Sequence, residues 1–150
     1  MSFIKKLKST FGNSNSGQLA SHSDSTDAII ETIEQQPFAI SEANVLYAGL
    51  NELGGYYFFQ TVIVGAFHIK TKKGATLSIV GTNVRLELDS DSLEFESDPT
   101  DIKYRQITKI DFQVEAIDAA KIQQSKLQTL VLTCKKQELT FTIYDSDKEK

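Results

Sequence analysis

The sequence predicts an α+β fold, in which two N-terminal helices pack on a curled antiparallel β-meander of about seven or eight strands. Two observations support this prediction. Residues 24–54 carry apolar side chains at helical spacing. From Tyr56 to Tyr144, short stretches of alternating apolar and polar residues are separated by turn residues, as in consecutive antiparallel strands. A sheet of this size must curl, close or be covered, so we expect the helices to lie on it.

The composition is that of an ordinary globular protein. Its 150 residues are 40% hydrophobic and 24% charged, with a net charge of -4 that argues against nucleic acid as a partner. The single cysteine, Cys134, cannot form an internal disulfide, and no apolar run approaches the ~18 residues of a membrane span. These features predict a cytoplasmic protein.

The chain divides into an arm, a domain and a tail. Residues 1–23 form a flexible arm because residues 12–23 are rich in glycine, serine and asparagine. Residues 24–145 form a single α+β domain, and residues 146–150 form a charged tail.

The arm begins with a short basic amphipathic segment. Such a segment docks into the groove of a partner or lies on an anionic membrane surface, and the alternative is a frayed terminus. We predict a partner-binding contact through Phe3, Lys5, Lys6, Leu7, Lys8 and Phe11.

Two helices are expected before the sheet. The first begins at Thr26 or Asp27 and ends before Pro37. The second begins at Ser41 and ends at Gly54. Their apolar residues are Ile29, Ile30 and Ile33 in the first helix, and Ala43, Leu46, Leu50 and Leu53 in the second.

The strand from Tyr56 to Gly65 is apolar on both faces, which predicts a central strand that the helices cover. Three hairpins follow. In the first, Ala66–Thr71 pairs with Ala75–Val80 through a loop at residues 72–74. The second turns at residues 81–83 and places Val84 and Leu86 on the same face as Leu77 and Ile79.

The third hairpin turns at residues 89–92 and pairs Leu86 with Phe95. It also sets Glu87 opposite Glu94, a destabilising like-charge pair. The last part of the sheet contains a strand through Phe112, a helix at Ala116–Ser125, and a hairpin of Leu127–Cys134 with Glu138–Tyr144.

A bent meander of this length resembles a pleckstrin-homology-like barrel. That resemblance implies a barrel closed by a C-terminal helix, which this sequence lacks. In this alternative the two N-terminal helices would plug the barrel instead.

The acidic third hairpin is the first candidate site. Its carboxylates could bind a basic partner surface or a metal ion, and the alternative is a solvated sheet edge whose charges prevent aggregation. The partner-binding residues predicted here are Glu87, Asp89, Asp91 and Glu94.

An apolar cleft between the helices and the sheet is the second candidate, with Tyr47, Tyr56 and Phe58 as ligand-binding residues for a small apolar molecule or lipid. Two lysine pairs, Lys72-Lys73 and Lys135-Lys136, would form a basic rim if their turns lie at the same end of the sheet.

No Walker loop, dinucleotide fingerprint, zinc spacing or nucleophile elbow is present in the sequence, so we predict no cofactor and no catalytic residue. The leading hypothesis is a non-catalytic binding or adaptor domain for a protein partner. The alternatives are apolar-ligand or lipid binding, metal binding at the acidic hairpin, and an enzyme that uses His68 as a base. The sequence does not predict the oligomeric state.

Overall fold

The described part of the protein is built on one curled antiparallel sheet of nine strands with two short helices. A computed structural model describes residues 26–33, 35–101 and 105–144. The helices are α1 (Thr26–Thr32) and α2 (Ala116–Gln124). The strands are β1 (Ala39–Ile40), β2 (Asn44–Leu53), β3 (Tyr56–Gly65), β4 (Lys70–Thr71), β5 (Thr76–Gly81), β6 (Arg85–Asp89), β7 (Phe95–Glu96), β8 (Asp98–Pro99), β9 (Gln106–Val114), β10 (Leu127–Cys134) and β11 (Gln137–Ile143).

The strand order in the main sheet is β6-β5-β10-β11-β1-β2-β3-β9-β8, while β4 and β7 form a separate two-stranded ribbon. The curl brings the β6 side of the sheet back to β9. There, Ser90 and Phe112 form an antiparallel bridge, and the Asp91 amide donates a hydrogen bond to the Asp111 carbonyl oxygen at 2.7 Å. The sheet is thus joined to itself over only a few residues.

The prediction of two N-terminal helices on the sheet is wrong, because the segment predicted as the second helix forms most of β2. Leu46 and Leu50 lie four residues apart, so they share one face of a helix and also one face of a strand. Val45 and Tyr47 decide between the two, since they are buried on the opposite face of the strand. The described chain is therefore mostly β structure, with only two short helices.

The Gly54-Gly55 pair is a hairpin turn and not the end of a helix. Gly54 has φ 62° and Gly55 has φ 88°, and a two-residue turn with positive φ at both positions matches the twist of the flanking strands. From this turn, β2 and β3 pair residue for residue, from Leu53 with Tyr56 to Asn44 with Gly65. This pairing gives the sheet its longest ladder.

Helix α1 confirms the first predicted helix, but it covers only a small part of the sheet. Ile29 and Ile33 pack on the outer face of the curl, where they contact a cluster formed by Val45, Tyr47, Val62, Val64 and Ile107. The barrel-plug alternative therefore fails, since α1 lies outside the curl.

The interior of the curl holds the main core. Phe59, Phe112 and Phe141 are among its largest buried side chains, and α2 contributes Ala119 and Ile122. The predicted central strand is confirmed as β3, which lies between β2 and β9. The predicted helix at residues 116–125 and the C-terminal hairpin are also confirmed, as α2 and as β10–β11.

The first predicted hairpin is wrong. Segment β4 pairs with β7, Thr71 opposite Phe95, and β5 pairs instead with β10 and β6. Alternation shows which face of a strand is apolar, but it does not identify the neighbouring strand. The second predicted hairpin is confirmed, because β5 and β6 set Leu77 opposite Leu88 and Ile79 opposite Leu86.

The third predicted hairpin is also wrong, and the like-charge pair disappears with it. Glu87 lies opposite Ser78 on β5, and Glu94 lies outside the strands. Phe95 pairs with Thr71 on β4, which is distant in sequence, and not with Leu86, as the local pattern predicted. The sequence therefore carries no unfavourable Glu87–Glu94 contact.

Gly65 marks a close approach of two backbones at the end of the β2–β3 ladder. A Cβ atom on Gly65 would collide with the Ala43 carbonyl oxygen and with Asn44. The Asn44 side-chain oxygen accepts a hydrogen bond from the Phe67 amide at 2.8 Å, which holds the chain as it leaves β3.

We expect Gly65→Ala to lower the free energy of unfolding by roughly 1–3 kcal/mol, because backbone atoms block the added methyl group. Gly49→Ala is the matched control in the same ladder. A Cβ atom there would have Asn51 Nδ2 as its nearest neighbour, at 3.9 Å, so this change should stabilise by about 0.5–1 kcal/mol. Urea denaturation of both variants measures the difference, and equal effects would contradict the close approach.

Candidate functional site

An acidic groove lies where β6 and β9 separate beyond the Ser90–Phe112 bridge. Its volume is about 800 Å³. One wall is residues 87–91, at the end of β6, and the other runs from the end of β9 into the first turn of α2. Residues 55–57, at the β2–β3 turn, complete the lining. The groove exists because the two strands stay paired at only one position.

Carboxylates dominate the charge of this groove. It is lined by Glu87, Asp89, Asp91, Glu115 and Asp118, and no lysine or arginine among the described residues lines it. Glu87, Asp89 and Glu115 are solvent-exposed. Such a concentration of one charge attracts cationic groups and repels anionic ones.

Exposed apolar side chains surround the acidic groove. Tyr56 lines it and is 59% exposed, and Leu53 lies opposite Tyr56 in the hairpin and is 51% exposed. Ile117, which is 65% exposed, lies between two lining residues at the start of α2. The described chain exposes only one other large hydrophobic side chain, Leu93. Most of its exposed large apolar residues therefore lie around this groove.

The groove also contains an unpaired strand edge. The Ser90 amide donates a hydrogen bond to the Ala75 carbonyl oxygen. In an antiparallel pair, only every second residue forms main-chain hydrogen bonds to the neighbouring strand. Leu88 therefore bonds to β5, whereas the N–H and C=O groups of Glu87 point away from β5. Since β5 is the only neighbour of β6 in the described sheet, these groups face the groove.

The structure brings together three of the four predicted acidic-hairpin residues. Glu87, Asp89 and Asp91 line the groove, whereas Glu94 does not. Sequence reasoning missed Glu115 and Asp118, which come from a distant part of the chain. No local pattern identifies them, because only the β6–β9 contact places them opposite β6.

The three predicted ligand-binding residues do not form one cleft. Tyr47 is fully buried beneath α1, while Tyr56 is exposed at the acidic groove. Phe58 is half-buried and lies opposite Asn51. The expected cleft depended on the second helix, which is a strand in the structure.

The hydroxyl group of Tyr47 is buried without a hydrogen-bond partner among the described residues. Burial raises the pKa of this hydroxyl, and the nearby Tyr144 raises it further. Tyr47 therefore stays neutral and serves the packing of α1 on the sheet.

The remaining predicted sites are dispersed. Residues 1–23, including the basic amphipathic segment, lie outside the described residues. Cys134 is buried, as predicted, and burial raises the pKa of its thiol. His68 is exposed and does not line the acidic groove. Among the described residues, no group of three or more carboxylate, histidine or cysteine side chains is arranged to hold a metal ion.

Asp111 lies beside the acidic groove on the outer face of the sheet. The Asn51 amide donates to the Gln60 side-chain oxygen, and Gln60 in turn bonds to Asp111. Burial raises the pKa of the Asp111 carboxyl, Asp91 raises it further, and Gln60 and Lys109 oppose the shift. The ionised carboxylate therefore costs folding stability.

Comparison with known proteins adds no relative: no family model, curated protein or solved structure matches this chain. In the described part of the chain, neither helix is long and apolar enough to cross a membrane.

We expect Asp111→Asn to raise the melting temperature at neutral pH. The folded protein holds the Asp111 proton more tightly than the unfolded chain does, so ionisation destabilises the fold as pH rises. Asparagine removes this cost and can still accept a hydrogen bond from Gln60. The gain should shrink as pH falls toward about 4 and be absent at lower pH, where aspartate is protonated in both states.

Thermal melts across this pH range measure the effect. Asp98→Asn, on the exposed strand β8, is the control for loss of one negative charge. A gain at Asp111 that persists unchanged at low pH would contradict the assigned cause.

Proposed function

We propose that this protein is a non-catalytic binding domain whose acidic groove takes an extended, basic segment of a protein partner. One observation supports this proposal: three features lie together in the space between β6 and α2. These are clustered carboxylates, exposed apolar side chains and an open strand edge. Each feature recognises a different part of one extended peptide.

The charges favour a partner rich in lysine or arginine. Electrostatic complementarity speeds association and disfavours acidic partners. The exposed side chains of Tyr56 and Ile117 supply apolar surface that a bound segment would cover. Tyrosine is enriched among the residues that dominate binding energy at interfaces.

The open edge of β6 favours an extended conformation for the bound segment. In strand addition, main-chain hydrogen bonds supply affinity and alternate side chains supply specificity. The side chains of Glu87 and Asp89 share one face of β6, and Leu88 lies on the other. A segment paired with residues 87–89 would therefore meet carboxylates with alternate side chains, which favours alternating basic and apolar residues, while Arg85 lies on the same face at the far end of β6.

Two other hypotheses draw less support from the geometry. The enzyme hypothesis depended on His68, which lies away from the groove lined with carboxylates. Apolar-ligand binding depended on a cleft that the fold replaces with a hairpin. Neither has an arrangement of side chains comparable to that of the acidic groove.

The basic segment of the arm is a further proposed contact, and it also has the chemistry that the acidic groove accepts. If this segment occupies the groove of its own chain, changing Lys5, Lys6 and Lys8 to glutamine will tighten binding of an added basic peptide. If the arm contacts a separate partner or an anionic membrane, the same change will leave peptide binding unaltered.

Replacing two groove carboxylates should weaken peptide binding. The probe is a short fluorescent peptide of alternating lysine and valine, and its anisotropy is measured with the full chain. Exposed ion pairs contribute about 0.2–1 kcal/mol each, so Glu87→Gln with Asp89→Asn should weaken binding roughly 2- to 30-fold.

The matched control is Glu94→Gln with Glu96→Gln, which removes the same charge from two exposed residues outside the groove. We expect little change from this pair. Equal losses in both double variants would show that net charge alone attracts the peptide. An N-methylated version of the peptide tests the strand edge, because it cannot donate the main-chain hydrogen bonds.

A further inference from the structure

A second groove, with the opposite charge, lies where β10 turns into β11. Its volume is about 940 Å³, and residues 68–73 and 135–137 line it. Five lysines contribute to the lining together with His68, and no aspartate or glutamate does: these lysines are Lys70, Lys72, Lys73, Lys135 and Lys136. The two lysine pairs predicted to form a basic rim therefore meet. Lys70 joins them from β4.

The fold holds the two walls of this basic groove together. The Lys135 amine donates a hydrogen bond to the Lys70 carbonyl oxygen at 3.0 Å, and the Cys134 thiol lies 3.5 Å from the Gly74 carbonyl oxygen. Glu96 faces Lys70 across the β4–β7 ribbon but does not line the groove. In the described part of the chain, none of the five lysines forms an ion pair.

The backbone conformation at Lys135 is unusual for a lysine. Cys134 pairs with Gln137, so Lys135 and Lys136 form a two-residue hairpin loop. Lys135 has φ 55°, a left-handed conformation that glycine adopts without steric cost, and it is the only described non-glycine residue with positive φ. Residues held in such conformations cluster at functional sites. A charged side chain thus occupies the position where the turn favours glycine.

An exposed apolar side chain stands beside the lysines. Leu93 is 62% exposed, and its carbonyl oxygen accepts a hydrogen bond from the Gly74 amide at 2.8 Å. This contact places Leu93 next to the turn that carries Lys72 and Lys73. Leu93 does not line the basic groove itself, and the exposed Glu94 follows it in the chain. The five lysines therefore supply the attraction to an anionic surface, and Leu93 supplies an apolar contact at the margin of the groove.

The chemistry of the groove distinguishes between anionic partners. No phenylalanine, tyrosine or tryptophan lines it, and His68 is a single ring. The groove therefore lacks the series of aromatic side chains on which successive bases of a single-stranded nucleic acid stack. It also lacks arginine, whose planar fork recognises phosphate groups bidentately. Lysines act as separate point charges, and each contributes to attraction by an anionic lipid surface.

We propose that the basic groove and Leu93 form a contact site for an anionic lipid membrane surface. The lysines would face the lipid headgroups, and Leu93 would enter the apolar layer beneath them. This site is separate from the acidic groove, so the proposal does not depend on the proposed peptide binding.

Vesicle co-sedimentation of the full chain tests this site. We expect binding to phosphatidylcholine vesicles that contain phosphatidylserine and no binding to phosphatidylcholine alone. Lys72→Gln with Lys73→Gln should weaken the binding roughly 30-fold, that is roughly fivefold for each lysine, the equivalent of about 1 kcal/mol. Leu93→Ser should weaken it while leaving the charge unchanged.

Lys135→Gly separates binding from folding. The change removes the hydrogen bond to the Lys70 carbonyl oxygen, but it also removes the strain of the positive φ. These two effects on stability oppose each other, so thermal stability should change little while vesicle binding falls roughly fivefold. Lys121→Gln with Lys126→Gln is the matched control, because both lysines are exposed and lie outside the groove. This pair should bind vesicles as the unchanged protein does.

Three results would overturn the membrane assignment. Equal losses in the groove and control variants would show that net charge alone is responsible. Loss of binding only on changing Lys5, Lys6 and Lys8 would assign the membrane contact to the arm. Binding of inositol hexakisphosphate without binding to anionic vesicles would identify a site for a free phosphate compound.

Discussion

The curled sheet is joined to itself through a few main-chain contacts at Ser90 and Asp91. The Ser90 amide and hydroxyl bind the backbone of Ala75, and the next amide reaches the Asp111 carbonyl oxygen. These contacts connect the beginning of β5, the end of β6 and the middle of β9. Because they close the curl, the apolar faces of all these strands can share one interior.

The acidic groove forms because β6 and β9 contact each other over so few residues. If β6 and β9 remained paired beyond Ser90 and Phe112, main-chain hydrogen bonds would fill the space that the groove occupies. The strands separate instead, and the walls then carry carboxylates from β6 on one side and from the start of α2 on the other. One local feature thus completes the core and opens the candidate site.

The sequence predicts the elements of this fold better than it predicts their neighbours. Alternation along β9, β10 and β11 correctly identifies buried faces such as that of Leu130, Leu132 and Cys134. It does not reveal that Thr71 pairs with Phe95, since the energetic advantage of that pairing lies in distant contacts. For β2, helical and strand spacing coincide, and the Gly54-Gly55 pair was the local signal of a hairpin.

The candidate sites follow the same rule. The acidic residues of β6 are visible as a run in the sequence, but Glu115 and Asp118 join them only through the β6–β9 contact. Similarly, the pairs Lys72-Lys73 and Lys135-Lys136 are visible, whereas their proximity requires the pairing of β5 with β10. The sequence shows where charged residues lie along the chain, but which of them come together depends on how the strands pair.

The position of β11 has a consequence for biosynthesis. This strand is the last of the sheet to leave the ribosome, yet it lies between β10 and β1 and pairs with both. Until it emerges, β1 and β10 each present an open edge to other nascent chains. Exposed edges and apolar surface are the features that make folding intermediates prone to aggregate. The order of synthesis therefore sets a period of vulnerability, which ends only when the C-terminal hairpin inserts.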